Sequence, residues 1–273
     1  MNIDPGFISL LVLLAGLYVR AVGILARRGY RVPRRQQAFW WAGVALIAIG
    51  LLSPIDRWAD DLLSAHMVQH MLLADLACPL LLAGLRTPVG LFLAPRPLLV
   101  ALARRRWLRA LGRTLTHPLV ALPVYLVVLY AWHLTFAFEG ALRHPVLHAA
   151  QHASFVTIGF MVWWPALEPN RRQLRGELWK IGHIVTVRLI AMFIGMAFIF
   201  TQTPIYSAYY HERAHRHGLS PIGDQRLGGG IMMSVDILII IAALGFFFWR
   251  AANDADEADR REDAAREVAA AGV

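Results

Sequence analysis

Residues 230–249 read GIMMSVDILIIIAALGFFFW, with Asp236 as their single charge. An α-helix rises 1.5 Å per residue, so about 20 apolar residues carry it across the hydrocarbon core of a bilayer. A surface helix of a soluble protein keeps a polar face along its whole length. This stretch has none, and it sets the class of fold as membrane-spanning.

Six further apolar runs lie upstream, at 7–25, 38–52, 65–85, 118–138, 147–166 and 181–203. The second is short unless it tilts little or borrows flanking residues such as Trp58. The stretch LFLAPRPLLVALA at 91–103 is broken by Pro95, Arg96 and Pro97 and reads as an interfacial segment, because proline breaks the helix ladder and arginine prefers water. The N-terminal MNIDPGFISLLVLLAGLYV lacks the basic start and small-residue cleavage site of an exported leader, so its apolar run is expected to be kept as a span.

The composition agrees. Over 273 residues the chain is 58% hydrophobic and 16% charged, with a mean hydropathy of +0.50, whereas soluble domains carry about 25% charged residues. The formal charge of +9 would suit nucleic acid only if it formed one face, and it does not. Arg27, Arg28, Arg31, Arg34 and Arg35 fill the loop 26–37. Arg86, Arg96, Arg104, Arg105, Arg106, Arg109 and Arg113 fill 86–117, and Arg171, Arg172, Arg175 and Lys180 fill 166–180. The intervening loops are poor in such residues: Arg57 in 53–64, Arg143 in 139–146, and Arg213, Arg216 and Arg226 in 204–229. Loops rich in arginine and lysine face the cytoplasm. The expected fold is therefore all-α, an integral membrane bundle of seven transmembrane helices, N-terminus outside and C-terminus cytoplasmic. Residues 1–251 form the transmembrane domain. Residues 252–273, rich in Ala and Asp, form a polar cytoplasmic tail, disordered or a frayed helical extension. The lone Cys78 excludes an internal disulfide and a cysteine-only metal site. The lipid bilayer is the expected surrounding and nucleic acid is excluded as a partner.

Ionisable side chains inside a bilayer are costly and mark functional sites. The third run opens AHMVQHMLLAD, in which His66 and His70 are four apart and share a helix face, as do Met67 and Met71 on the adjoining strip. His148 and His152 repeat the spacing at the start of the fifth run. Trp132 and His133 end the fourth. The alternation of loops brings His66, His70, His133, His148 and His152 from three helices to one outer layer. Neutral imidazole binds zinc, copper, iron and nickel, and thioether shifts the preference to Cu(I). Met192, Met196, Met232 and Met233 are further candidate linings. Helix-to-helix hydrogen bonding by the histidines and plain packing by the methionines are the alternatives. Asp75 and Asp236 can pair with each other, with backbone or with a buried arginine, while Arg20 and Arg188 are expected to snorkel. His211, His215 and His217 fall in an outer loop that either gathers metal or is simply wet. Cys78 reads as a small buried filler, and His117 and His183 as interfacial.

The segments HMVQHMLL, WHLTFAFEGAL, LHAAQHASF, WWPALEP and GDQRLGGGIMM resemble the multi-spanning CtaG family of cytochrome c oxidase assembly factors, over about residues 38–249. The matching positions are His66, Met67, His70, Met71, Trp132, His133, His148, His152, Asp224 and Gln225. Thr135, Phe138, Met233 and Cys78 depart from the residues usual in the family. The resemblance implies a non-enzymatic protein of the bacterial inner membrane that handles copper for the oxidase, with oxidase subunits and a periplasmic copper donor as partners. The expected metal ligands are His66, His70, His133, His148 and His152 with Met67 and Met71, and the expected cofactor is copper as Cu(I). Two alternatives remain open: a haem protein with bis-histidine ligation, which no Soret band would exclude, and a metal or proton transporter, which needs ligands spread through the bilayer depth. A membrane hydrolase lacks its G-x-S-x-G or HExxH signature.

Overall fold

The computed structural model describes residues 5–167 and 177–271. Every described element is helical. Helix α1 (Pro5–Arg27) and α2 (Arg34–Leu52) are followed by the short α3 (Pro54–Ala59). Next comes one continuous helix made of α4 (Leu63–His70), a π-helical segment (Met71–Ala77) and α5 (Cys78–Gly84). Helices α6 (Arg96–Arg104) and α7 (Arg106–Leu115) lead to α8 (Pro118–His133), α9 (Thr135–Arg143) and α10 (Pro145–Leu167). Helices α11 (Glu177–Phe200), α12 (Ser207–His215) and α13 (Pro221–Ala271) complete the chain.

Four helical stretches are long and apolar enough to cross a membrane: Gly6–Arg27, Leu63–Gly84, Glu177–Phe200 and Pro221–Ala264. The pair Arg106–Leu115 and Pro118–His133, bent by 71°, makes up to five if taken as one span. The expected seven are thus not all reached on length and hydropathy. Helices α2 and α10 occupy the other two expected places, with 19 and 23 residues. The first is diluted by Arg34, Arg35, Gln36 and Gln37, the second by His148, Gln151 and His152. Polar residues that make a membrane helix interesting also lower the signal by which it is found. Helices α6 and α7 bury no residue, as suits a segment lying in the interface.

The expected fourth run, 118–138, is cut short. Helix α8 stops at His133, Leu134 turns extended (φ −66°, ψ 136°) and α9 starts at Thr135. The stop is held by Tyr206, whose hydroxyl donates to the His133 carbonyl at 2.7 Å. The expected loop 204–229 contains α12 and the first turns of α13. In the tail, α13 continues as helix to Ala271, its charges paired at i,i+4 as Arg261–Glu257 (3.3 Å) and Arg266–Glu262 (3.5 Å). Alanine-rich sequence with such pairs favours helix. Arg171, Arg172 and Arg175 lie outside the described residues.

Two close approaches fix the packing. A Cβ on Gly159 of α10 would fall 2.7 Å from the Ala74 carbonyl oxygen and 3.0 Å from Cys78 Sγ, and one on Gly229 of α13 would fall 2.5 Å from the Gly195 carbonyl oxygen of α11. Small residues let membrane helices meet backbone to backbone. Cys78 is the buried filler expected, its Sγ donating to the Leu73 carbonyl at 3.3 Å, five residues back along the π-helical turn.

Candidate metal centre

The site is built on the start of α4. Asp224, in the first turn of α13, accepts from the backbone N–H of Leu63 (2.6 Å) and Ser64 (3.1 Å) and from the Ser64 hydroxyl. A carboxylate at a helix N-terminus satisfies otherwise orphaned donors and complements the dipole. Gln225 accepts from the Ile205 N–H (2.7 Å) and donates to the Phe198 carbonyl (3.0 Å). These two residues tie α13 to α4 and to the end of α11. They position the histidine helix and lie outside the cluster.

From that anchored start α4 projects His66 and His70, their ring centroids 4.3 Å apart, while α10 projects His148 and His152, also 4.3 Å apart. Across the two helices, His66 stacks on His148 at 5.2 Å, and His70 meets His152 edge-on at 5.3 Å. One ring nitrogen from each of His66, His70 and His152 lies within 4.8 Å of the others. Phe138 (4.9 Å from His66) and Phe155 (4.5 Å from His70) wall the group. The three histidines are at most 7% exposed. Both ring nitrogens of His66 and His70, and Nε2 of His148 and His152, are buried without a hydrogen-bond partner. The nearby Ala59 carbonyl is engaged by the Tyr210 hydroxyl at 3.0 Å.

An unsatisfied buried polar atom costs about 1–3 kcal/mol, and hydrocarbon offers no water to relieve it. Several together from two helices form a pocket of lone pairs awaiting an acceptor of electrons. Metal–nitrogen bonds are about 2.0–2.1 Å, so sharing one ion among His66, His70 and His152 needs only a modest closing of the rings. The donor set fits a late first-row metal.

The remaining expected ligands are distributed differently. His148 adjoins the three but is half-buried. His133 binds the Leu129 carbonyl through Nδ1 (2.7 Å) and shares Phe138 and Phe155 with the cluster as neighbours, at ring distances of 6.1 and 6.2 Å. Met67 and Met71 belong to the apolar core around Tyr125 and Phe198, and Met67 Cγ lies 3.4 Å from where a Gly228 Cβ would be. Met196 faces outward at 36% exposure, which removes it from any interior lining, and Met233 packs over Gly195. Trp132 donates to Ser154 Oγ at 2.8 Å and fastens α8 to α10. His183, expected at the interface, is buried and bonded to the Val162 carbonyl (3.0 Å). His217 pairs with Asp61 at 3.1 Å.

Sequence reading missed three features. Arg188 does not snorkel: it is fully buried, its guanidinium bonded to Asp75 and to Asp236 (3.2 Å). Tyr206, stacked on Phe138 at 4.1 Å, and Tyr210 brace the site from above. Both histidine pairs also share the pattern H-x-x-Q-H, a visible signal that Gln69 and Gln151 belong with them. Gln69 donates to the Gly50 carbonyl (2.9 Å) and to Asp56 (2.8 Å), whereas the Gln151 amide is buried with neither atom partnered. At the mouth, partial burial and then the neighbouring Asp56 push the Asp60 carboxyl above its usual range, against the opposing charges of His148 and Arg213.

The fold and site together define a helical membrane protein with a buried histidine cluster between two of its helices. Residues 16–254 match the cytochrome c oxidase caa3 assembly factor (Caa3_CtaG) family, and the chain belongs to it. It is also 27% identical over 248 residues to the uncharacterized proteins Mb0105 of Mycobacterium bovis and MT0111 of Mycobacterium tuberculosis, covering 85% of this chain. The match takes in 37% of each relative, so the chain spans little more than a third of their length. No solved structure matches.

Proposed function

We propose that the protein holds a copper ion at His66, His70 and His152, with His148 as an exchangeable fourth donor, and passes it to a subunit of cytochrome c oxidase. The single observation that carries this reading is the set of buried, unpartnered ring nitrogens within 4.8 Å of one another. Family membership supplies the oxidase as the client. Copper is the cargo and is not consumed, so the role is delivery and not catalysis. A ligand set of imidazoles without thiolate suits release, because ligands exchange one at a time as the ion moves on. Met67 and Met71 lie one residue from His66 and His70 and can take up the ion only by turning out of the core. A periplasmic protein is the source of the copper in this reading.

The same reading takes α1, α2, the α4–α5 run, α8, α10, α11 and α13 as seven spans in a bacterial inner membrane. The alternation of arginine-rich loops then puts the N-terminus and the histidine layer outside. Four ring pairs among the clustered histidines lie only 4.3–5.3 Å apart, which favours a single small ion over a porphyrin between them. His66 and His152, at 6.2 Å, have the wider spacing of axial haem ligands, and the optical spectrum tells the two readings apart.

The test is to load detergent-purified protein with Cu(I) under reducing conditions and measure metal and optical spectrum. Near-stoichiometric copper without a Soret band is expected, with loss of most of it in both His70→Ala and His152→Ala. Equal copper in all three proteins would refute the site, and absence of copper from the unaltered protein would leave a scaffolding role in oxidase assembly.

A further inference from the structure

A second site lies at the opposite end of the bundle. A cleft of about 1150 Å³ runs between α2, the inner part of the α4–α5 run, the end of α10 and the middle of α13. It exceeds ordinary small-ligand pockets of about 300–1,000 Å³. Its walls follow helical rhythm: Leu76, Pro79 or Leu80, Ala83 and Arg86 on one side, and Ile239, Ala242 or Ala243, Phe246 or Phe247 and Arg250 on the other. Phe39 and Leu46 of α2 close the third side.

Two features say what would fill it. Arginines from three separate elements, Arg35, Arg86 and Arg250, line the same end, where Arg250 also pairs with Glu177 at 3.2 Å. The other end is Asp75, whose charge is taken by Arg188. From Asp75 to Arg86 is a helical rise of about 16 Å, which is half of a hydrocarbon core about 30 Å thick. A cationic mouth at the membrane surface above an apolar channel one leaflet deep matches an amphiphile with an anionic head and acyl tail.

We propose that this cleft binds an anionic phospholipid of the surrounding leaflet, phosphate at Arg35, Arg86 and Arg250 and acyl chain along Leu80, Phe246 and Phe247. Basic pockets between membrane helices suit such head groups. The bound chain also seals Asp75 and its partner Arg188 from water. The assignment does not depend on the copper reading.

The experiment offers dioleoylphosphatidylglycerol and dioleoylphosphatidylcholine in equal amounts to the detergent-purified full-length protein, with native mass spectrometry as the readout. Retention of the anionic lipid should exceed that of the zwitterionic one by about fivefold for each arginine engaged. The Arg35→Gln/Arg86→Gln double variant should bring the ratio down to about fivefold, the share of Arg250, which is left in place to keep its pair with Glu177. Ala242→Phe and, separately, Ala83→Phe, both at positions open to the cleft, should lower retention of both lipids while lipid-free thermal stability holds. Equal retention of the two lipids by the unaltered protein, or a preference undiminished in the double variant, would overturn the proposal. So would a co-purified haem or quinone that the Ala242→Phe variant releases.

Discussion

Two sets of ionisable side chains sit on the same helical run, five residues apart, and the fold treats them oppositely. His66 and His70 end on buried ring nitrogens with no partner, while the charge of Asp75 is met by Arg188, which also holds Asp236 at 3.2 Å, even though Nε and Nη2 of Arg188 and Oδ2 of Asp236 are themselves without a hydrogen bond. The guanidinium further lies over the rings of Tyr125 (5.3 Å) and Trp163 (6.0 Å). In a medium without water, a compensated polar group is structural and an uncompensated one is an invitation to a ligand. Ion pairing therefore separates framework from site where burial does not, since Arg188 and His66 are equally inaccessible.

The comparison is first broken at its framework end. Arg188→Met leaves Asp75 and Asp236 facing each other without a cation, and removal of one partner from a buried pair costs about 3–5 kcal/mol. The variant should accumulate poorly and unfold far below the parent in a detergent melting assay. The triple variant Arg188→Met/Asp75→Asn/Asp236→Asn should recover most of the loss, because all three charges leave together. A single variant as stable as the parent would show that the pair carries no structural weight.

Much of this was legible in the sequence and part was hidden for identifiable reasons. The apolar runs and the two histidine pairs follow from composition and i,i+4 spacing. The π-helical segment Met71–Ala77 does not, because nothing in MLLADLA distinguishes i→i+5 from i→i+4 bonding. Its wider turn takes in an extra residue, so the residues beyond it are rotated around the helix relative to regular i→i+4 spacing. Arg188 looked like a snorkelling residue because its two carboxylate partners lie 113 and 48 residues away. Asp224 and Gln225 were visible as a motif, but their role as a cap and a clamp depends on contacts across more than 150 residues for Asp224.

Asp224 joins the two sets, since it belongs to the framework yet orients the site. Asp224→Ala removes two backbone hydrogen bonds and a hydroxyl contact from the start of α4, a loss of about 1–2 kcal/mol by the usual value of a cap. Copper content should fall as well, by less than in His70→Ala, because the ligands survive while their helix start loosens. Asp224→Asn, which keeps an acceptor, should recover part of both. A fall in stability with copper retention unchanged would confine Asp224 to the framework.

The site end is sharpened by removing an orphan. His70→Leu deletes two unpartnered buried nitrogens and replaces the ring with an apolar side chain of similar volume but different shape against Phe155. The released penalty of about 1–3 kcal/mol opposes a small packing loss, so the melting temperature without metal should hold or rise. In the copper-loaded protein the order reverses, because only the parent gains the stabilisation of a ligand that binds the folded state. A large loss of metal-free stability in His70→Leu would mean that the histidine layer is framework after all.

Asp60, at the mouth beside His148, lies between the two cases and should give the smallest effect. Partial burial and Asp56 hold its carboxyl above the ordinary value of about 3.9. A folded state that binds a proton more tightly than the unfolded chain loses stability as pH rises from the ordinary value through the raised one. Asp60→Asn has no such proton to lose. Its melting temperature relative to the parent should therefore climb as pH rises from about 4 and level off once the parent carboxyl is ionised in both states. A difference that stays flat across that range would show that water reaches Asp60 freely, and that the uncompensated character of the histidine layer stops at the rings themselves.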